Sequence, residues 1–236
     1  MNKGVLYLIP VPLGACALDA VLPVAVQDRA RRLKHFVAEN AKSARAFLKS
    51  LPSDTPLQQI GINELSEHTP LSALPPLLAP LLAGEDVGLI SEAGCPAVAD
   101  PGANLVALAQ REGVRVVPMS GPSSILLALM GSGLSGQNFA FHGYLPVKDE
   151  ERQKRLRELE KDSRQEKRTQ IFIETPYRNR QMLETLVRVC AASTRICVAT
   201  DLTMDSERIM TRTPAEWRHQ GLPEIDRRPT VFLLQA

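Results

Sequence analysis

The chain has 236 residues, 44% of them hydrophobic and only 4% aromatic, and carries a formal net charge of +2. This excludes a disordered or fibrous chain and supplies enough apolar material for one large domain or two small ones. So few aromatics argue against base stacking as the main route to nucleic acid, and so mild a charge permits such a substrate without arguing for it.

In chain order, short β-branched runs alternate with longer helical stretches. Val5–Val11 reads as a strand, Asp19–Arg31 as a helix with Pro23 near its start, Leu33–Ala38 as a strand and Ala41–Leu51 as a helix. Leu57–Ile62 is a weaker strand, Pro75–Ala83 a proline-started helix, Val87–Ser91 a strand, Asn104–Glu112 a helix and Val114–Pro118 a strand. That alternation predicts an α/β fold with a mostly parallel sheet covered by helices on both faces.

In the second half, Ser123–Met130 reads as a helix, Phe139–Tyr144 as a strand, Glu150–Asp162 as a highly charged helix and Thr169–Glu174 as a strand. Asn179–Ala192 is then a helix, and Arg195–Asp201, Arg208–Thr213 and Thr230–Gln235 are strands. Neighbouring strands without long helices between them predict a mixed sheet. A boundary near Pro118–Pro122 divides the chain into an N-terminal α/β subdomain, 1–118, and a C-terminal one, 119–236.

Cys16, Cys95, Cys190 and Cys197 form no CxxC pair and the histidines no HxxxH, so no metal site is expected and the cysteines read as reduced thiols of a cytoplasmic protein. The first apolar run breaks at Pro10 and the tract 71–83 holds three prolines, so neither a signal sequence nor a membrane span is expected. The literal GxGxxG at Gly131–Gly136 follows a helix and precedes a strand, the reverse of the dinucleotide-binding order, and reads as a helix end.

Ligands of open α/β sheets gather at the carboxyl ends of strands. Five loops there are rich in small residues and proline: Val11-Pro12-Leu13-Gly14, Ser91 to Gly102, Met119 to Ser124, Glu174 to Arg178, and Asp201 to Glu207. Small residues let backbone approach a ligand, and proline fixes loop shape in advance. One such loop is an ordinary turn; five suggest a shared ligand rim.

The segments LYLIPVPLG, ISEAGCPAVADPG, VVPMSGPSS, FHGYLPVK and FIETPYR, in this order, resemble the tetrapyrrole-methylase-like class of S-adenosylmethionine (SAM)-dependent methyltransferases. Within it they look like the branch containing the small-subunit ribosomal RNA cytidine ribose 2′-O-methyltransferase. The resemblance implies two α/β subdomains with SAM in the cleft between them, and a homodimer. It implies cofactor contacts around Ser91, Asp100, Ser120, Gly121, Pro122, Ser123, Ser124, Phe172, Glu174, Leu202 and Thr230. A bulky residue at Gly121 is therefore expected to fill cofactor space with little loss of fold.

Methyl transfer from a sulfonium needs in-line alignment first, and a base helps a hydroxyl acceptor. Glu39, Glu92 and Glu174 each follow a strand and are candidates, with Glu39 and Glu174 preferred. Arg31, Arg32, Lys42 and Arg178 are candidate substrate contacts, and Arg29 and Lys34 extend the first of these basic clusters. The related branch carries an Ala-Glu-Asp-Thr-Arg stretch where this chain has Ala38-Glu39-Asn40-Ala41-Lys42, and it usually continues beyond its last strand, whereas this sequence stops at Ala236. The expected function is methyl transfer to an acceptor among which RNA leads and a small molecule comes next, with weak or absent activity on the small-subunit cytidine ribose. The alternative is a SAM-binding or regulatory homodimer whose catalytic stretch has decayed.

Overall fold

A computed structural model describes residues 2–52 and 55–236. The chain divides into two compact units, Met1–Ser123 and Ser124–Ala236.

The first unit is built on a five-stranded sheet: β1 (Val5–Ile9), β2 (His35–Ala38), β3 (Gly61–Glu64), β4 (Val87–Ile90) and β5 (Arg115–Pro118), in the order β3-β2-β4-β1-β5, every pair parallel. The period of two distributes each strand between two cores. Leu6, Val37, Val87 and Leu89 face Leu105 and Ala109 of α5 (Gly102–Arg111), while Ile9, Phe36, Ala38 and Ile90 face α2 (Val24–Arg32) and α3 (Ala41–Ser50). Gly88 lies opposite Phe36, and a Cβ there would fall 2.6 Å from that ring, so only glycine lets the phenyl group lie across the middle of the sheet.

Three sequence-based spans need correction. The helix expected over 19–31 is two: α1 (Leu18–Val21) ends before Pro23, which precedes α2 and has no N–H to continue the first helix. The strand expected over 57–62 begins later, because Pro56 opens a 3-10 turn over Leu57–Gln59 and pairing starts where the Gly61 N–H donates to the Lys34 carbonyl. The helix expected over 75–83 is a 3-10 turn, Pro75–Leu78, followed by α4 (Ala79–Leu82).

The second unit holds a mixed sheet: β6 (Phe139–Tyr144), β7 (Thr169–Ile173), β8 (Arg195–Thr200), β9 (Arg208–Arg212) and β10 (Thr230–Gln235), in the order β6-β7-β10-β8-β9. Only β6 and β7 run parallel. α6 (Ser124–Ser132) packs on β8, β9 and β10, and Gly133, with φ +67, follows its end. α7 (Asp149–Glu166) and α8 (Asn179–Val189) cover the other core, where Phe172 and Phe232 stack with ring centroids 5.9 Å apart. The charged α7 buries Leu156 and Leu159 completely, together with Arg152, which donates to the Val147 carbonyl and to Asp149. Sequence reasoning missed α9 (Pro214–Gln220), whose signal is the capping box formed by Thr213 and Glu216. Trp217 of this helix is fully buried and donates to the Ile196 carbonyl.

Candidate functional site

In the first sheet, β1 and β4 are neighbours whose following helices lie on opposite faces: α2 packs in one core, α5 in the other. Such a crossover opens a crevice at the carboxyl ends of the two strands. The loops there are tied together. Val11 and Gly94 exchange two backbone hydrogen bonds, and the Ser91 hydroxyl donates to the Gly94 carbonyl. Beside them lies a cavity of about 420 Å³ walled by the loop after β1, by Ser43, Ala46 and Phe47 of α3, and by Ser91 and Glu92. Ser43 Oγ donates to Glu92 Oε1 at 3.1 Å.

Asp100 organises the rest of this rim. Its Oδ1 accepts from the Ala97 N–H at 3.1 Å and from the Gly102 N–H at 2.6 Å. These bonds hold a loop in which Ala97 and Ala99 both take the left-handed conformation, with φ of 65° and 55°. Non-glycine residues enter that region only where their surroundings compel it. Burial raises the Asp100 pKa, opposed by the same two hydrogen bonds.

Glu39 follows β2 and is half-buried. Its pKa is raised, first by burial and then by the negative charges of Asp100, Glu92 and Glu67. Asn40, where the related stretch has an acid, caps α3: its Oδ1 accepts from the N–H groups of Lys42 and Ser43. Lys42 and Arg32 are exposed, while Arg31 donates to Asp28 at 2.7 Å, and Arg29 lies over the Tyr7 ring. Ser120 is exposed, and Gly121, Ser123 and Ser124 are partly so. Pro122 is buried, its carbonyl accepting from Cys95 Sγ. A Cβ at Gly121 would sit 2.3 Å from Pro10 Cβ and 2.7 Å from Pro10 Cγ. The expectation that a bulky residue there spares the fold is therefore corrected: the space is occupied by the Pro10 ring.

In the second unit, Glu174 follows β7 and is almost wholly buried, and its Oε1 accepts from Arg178 Nη2 and from the Thr175 N–H, both at 2.6 Å. Its Oε2 is buried without a hydrogen-bond partner among the described residues, and so is Thr203 Oγ1 in the loop after β8. Phe172 is a core side chain and can offer a ligand only its backbone. Leu202 is buried between two left-handed residues, Asp201 at φ 50° and Thr203 at φ 71°. Asp201 Oδ2 accepts from Ser206, five residues on, and from Arg228, a brace that sequence reasoning missed because Arg228 lies 27 residues away. Thr230 sits opposite Thr200, their hydroxyls 3.2 Å apart.

His142 lies outside these loops: its ring meets Gln170 at 2.6 Å, and burial lowers its pKa, so it stays neutral at physiological pH. Among the described residues, no group of three His, Cys, Asp or Glu side chains is placed to hold a metal, and no helix is long and apolar enough to cross a membrane.

With its parallel five-stranded sheet followed by a mixed five-stranded one, the chain shares the fold of solved tetrapyrrole methyltransferases. The chain superposes on the methyltransferase CobJ with a TM-score of 0.63 at 18% identity, covering 100% of this chain and 94% of that one. For the cobalt precorrin-4 methyltransferase CbiF the TM-score is 0.60 at 16% identity, covering 98% and 94%. Residues 5–216 match the Tetrapyrrole (Corrin/Porphyrin) Methylases, and the chain belongs to this family. It is 32% identical over 221 residues to the Ribosomal RNA small subunit methyltransferase I of Vibrio cholerae, covering 90% of this chain and 69% of the relative. The proteins of the same name from Pseudomonas aeruginosa (33%, covering 92% and 72%) and Xylella fastidiosa (31%, covering 99% and 81%) are similar to it as well. The chain is thus a SAM-dependent methyltransferase, and its relatives favour an enzyme over a decayed SAM-binding dimer.

Proposed function

We propose that the chain is a cytoplasmic, homodimeric enzyme that methylates a hydroxyl group of RNA, with small-subunit ribosomal RNA the first acceptor to test. The observation that carries this reading is a pair of acids beyond neighbouring strand ends: Glu92, after β4, lines the cavity, and Glu39, after β2, is near enough to feel its charge. The names of the relatives support the acceptor class and, with the family resemblance, the location and the dimer.

SAM supplies a methyl group on a positively charged sulfur. Its adenine amine, ribose hydroxyls and ammonium group are donors, and the loops present unsatisfied acceptors of the fitting kind in Glu174 Oε2 and Thr203 Oγ1. We assign cofactor binding to Ser91, Asp100, Ser120 to Ser124, Glu174, Leu202 and Thr230, with Phe172 contributing backbone alone. Asp100 holds the left-handed loop in shape, and Arg178 orients the Glu174 carboxylate. Two donors already occupy Glu174 Oε1, which suits this residue to holding a ligand more than to moving a proton.

Glu39 is the candidate base. A ribose hydroxyl gives up its proton poorly near neutral pH, and a half-buried carboxylate with a raised pKa is a stronger acceptor than an ordinary one. Arg32, Lys34 and Lys42 are exposed and free to meet phosphates, a role the Asp28 contact restricts for Arg31. Asn40, Ala41 and Lys42 supply neither the second acid, the hydroxyl nor the planar guanidinium of the related stretch, so a slow rate on the small-subunit RNA is expected. The test is methyl incorporation from labelled SAM into small-subunit particles that lack the modification, followed by digestion to nucleosides. Label in a ribose-methylated nucleoside supports the reading; intact SAM binding without label in any RNA refutes it.

A further inference from the structure

We propose that the groove between α8 and α9 docks an extended, acidic peptide segment of a partner protein, anchored by one aliphatic side chain. The residues that line it belong to none of the loops assigned above to the cofactor, and none of them takes part in the chemistry of methyl transfer.

The groove has a volume of about 340 Å³, within the range of small binding sites. One wall is apolar. Val187 of α8 and Leu222, just beyond α9, line it together with Trp217, which is itself fully buried. Leu222 lies in a stretch that is neither helix nor strand. Its N–H and its carbonyl have no hydrogen-bond partner among the described residues. An extended peptide laid beside such a stretch gains main-chain hydrogen bonds, and the side chain it points into the groove gives specificity.

The rim sets the charge of the partner. Glu184, Arg188 and Arg218 form it, and all three are exposed. Glu184 is already paired, since Arg180 Nε donates to its Oε1 at 3.2 Å. Arg218 Nη2 donates to the Val187 carbonyl at 2.6 Å, an uncharged partner, and Arg218 forms no ion pair among the described residues. Arg188 reaches Asp149 at 3.4 Å, but that carboxylate also receives the buried Arg152 at 2.6 Å. Guanidinium charge therefore exceeds carboxylate charge around the groove, and Arg188 and Arg218 are complementary to an acidic segment. A phosphate backbone would satisfy the arginines but would leave the apolar wall and the Leu222 main chain unused.

Trp217 is the only tryptophan in the chain, so labelling with 5-fluorotryptophan gives one fluorine resonance beside the groove. The experiment titrates the labelled full chain with the peptide acetyl-Asp-Glu-Leu-Asp-Glu-amide. The signal should shift saturably. Replacing the peptide's leucine by alanine should weaken binding at least about tenfold, the factor for burying the additional methylene and methyl groups. Replacing its acids by lysine should abolish binding. Arg188→Glu and Arg218→Glu should each weaken it about tenfold, as expected for the loss of one charge-assisted contact. Arg188 is exposed, so its substitution leaves the core untouched, as thermal melting can verify, and it carries the test if losing the Val187 contact destabilises the Arg218 variant. No saturable shift, or an equal response to the alanine or lysine peptide, would overturn the proposal. So would displacement of the peptide by oligouridylate, which would give the groove to RNA.

Discussion

Replacing Asp100 with alanine tests whether the left-handed loop is part of the cofactor site. The substitution removes the acceptor of two backbone hydrogen bonds, to Ala97 and Gly102. Hydrogen bonds to a charged group contribute about 1.5–3 kcal/mol each, so the pair contributes about 3 kcal/mol at the low end that partial exposure warrants. The left-handed backbone at Ala97 and Ala99 costs about 1–2 kcal/mol per residue in the opposite direction. Without the carboxylate this strain is unopposed, and the loop relaxes. A loop disfavoured by about 1.4 kcal/mol weakens a ligand that requires it by about tenfold. Titration calorimetry should therefore show SAM affinity falling at least about tenfold in Asp100→Ala. The melting temperature should fall only slightly, since the loop can open without the sheet. Asp100→Asn keeps an acceptor and removes a charge that burial disfavours, so it should stay within a few-fold of the parent chain. Parental affinity in Asp100→Ala, with the fold intact, would refute the reasoning.

The other predictions are direct. Glu39→Gln should lower kcat by about 10²-fold or more and abolish the rising limb of the pH–rate profile. Because the pKa is raised, the parent enzyme should lose activity as pH falls through a value above the usual glutamate range; an unchanged profile in the variant would remove Glu39 as base. Gly121→Ala should cost about 1–3 kcal/mol of stability by pressing on Pro10, read as a fall in melting temperature. Cys190 and Cys197, whose burial pushes their pKa values to about 12 and about 11, should resist thiol reagents at mildly alkaline pH until denaturant is added, whereas the partly exposed Cys16 should react in the native protein.

The middle of the parallel sheet was legible because a central strand is a continuous apolar run buried on both faces, and Val87–Ile90 carries this pattern in four residues, whereas the edge strand Gly61–Glu64 is mostly exposed and polar and was the weaker signal. The turn at Leu57 was not, because its apolar residues fit a strand equally well until Pro56 sets the backbone. Asn40 shows how a motif comparison can mislead. As a substitution it reads as a lost acid; as a residue it is a good helix cap, and its side chain does that work here. The strand-end loops could be located from composition, but not the direction of each side chain within them. Ser43 and Phe47 reach the cavity because α3 packs with that face toward the loop after β1, a tertiary fact with no local signature. Gly121 belongs to the same category, since nothing in MSGPSS announces the Pro10 ring against it.

The place of β10 bears on how the protein is made. All five strands of the first sheet lie within the first 118 residues, so that sheet has every partner it needs before the second unit emerges from the ribosome. The second sheet is otherwise: its middle position belongs to β10, the last strand in the chain, which pairs with β7 on one side and β8 on the other. At about 5–20 residues per second, synthesis from Ser124 to Gln235 takes on the order of ten seconds. For about half of that time the inner edge of β7, and for about a quarter of it that of β8, waits with open hydrogen-bonding groups and the apolar Ile171, Phe172, Val198 and Ala199 uncovered, a nascent surface suited to a chaperone.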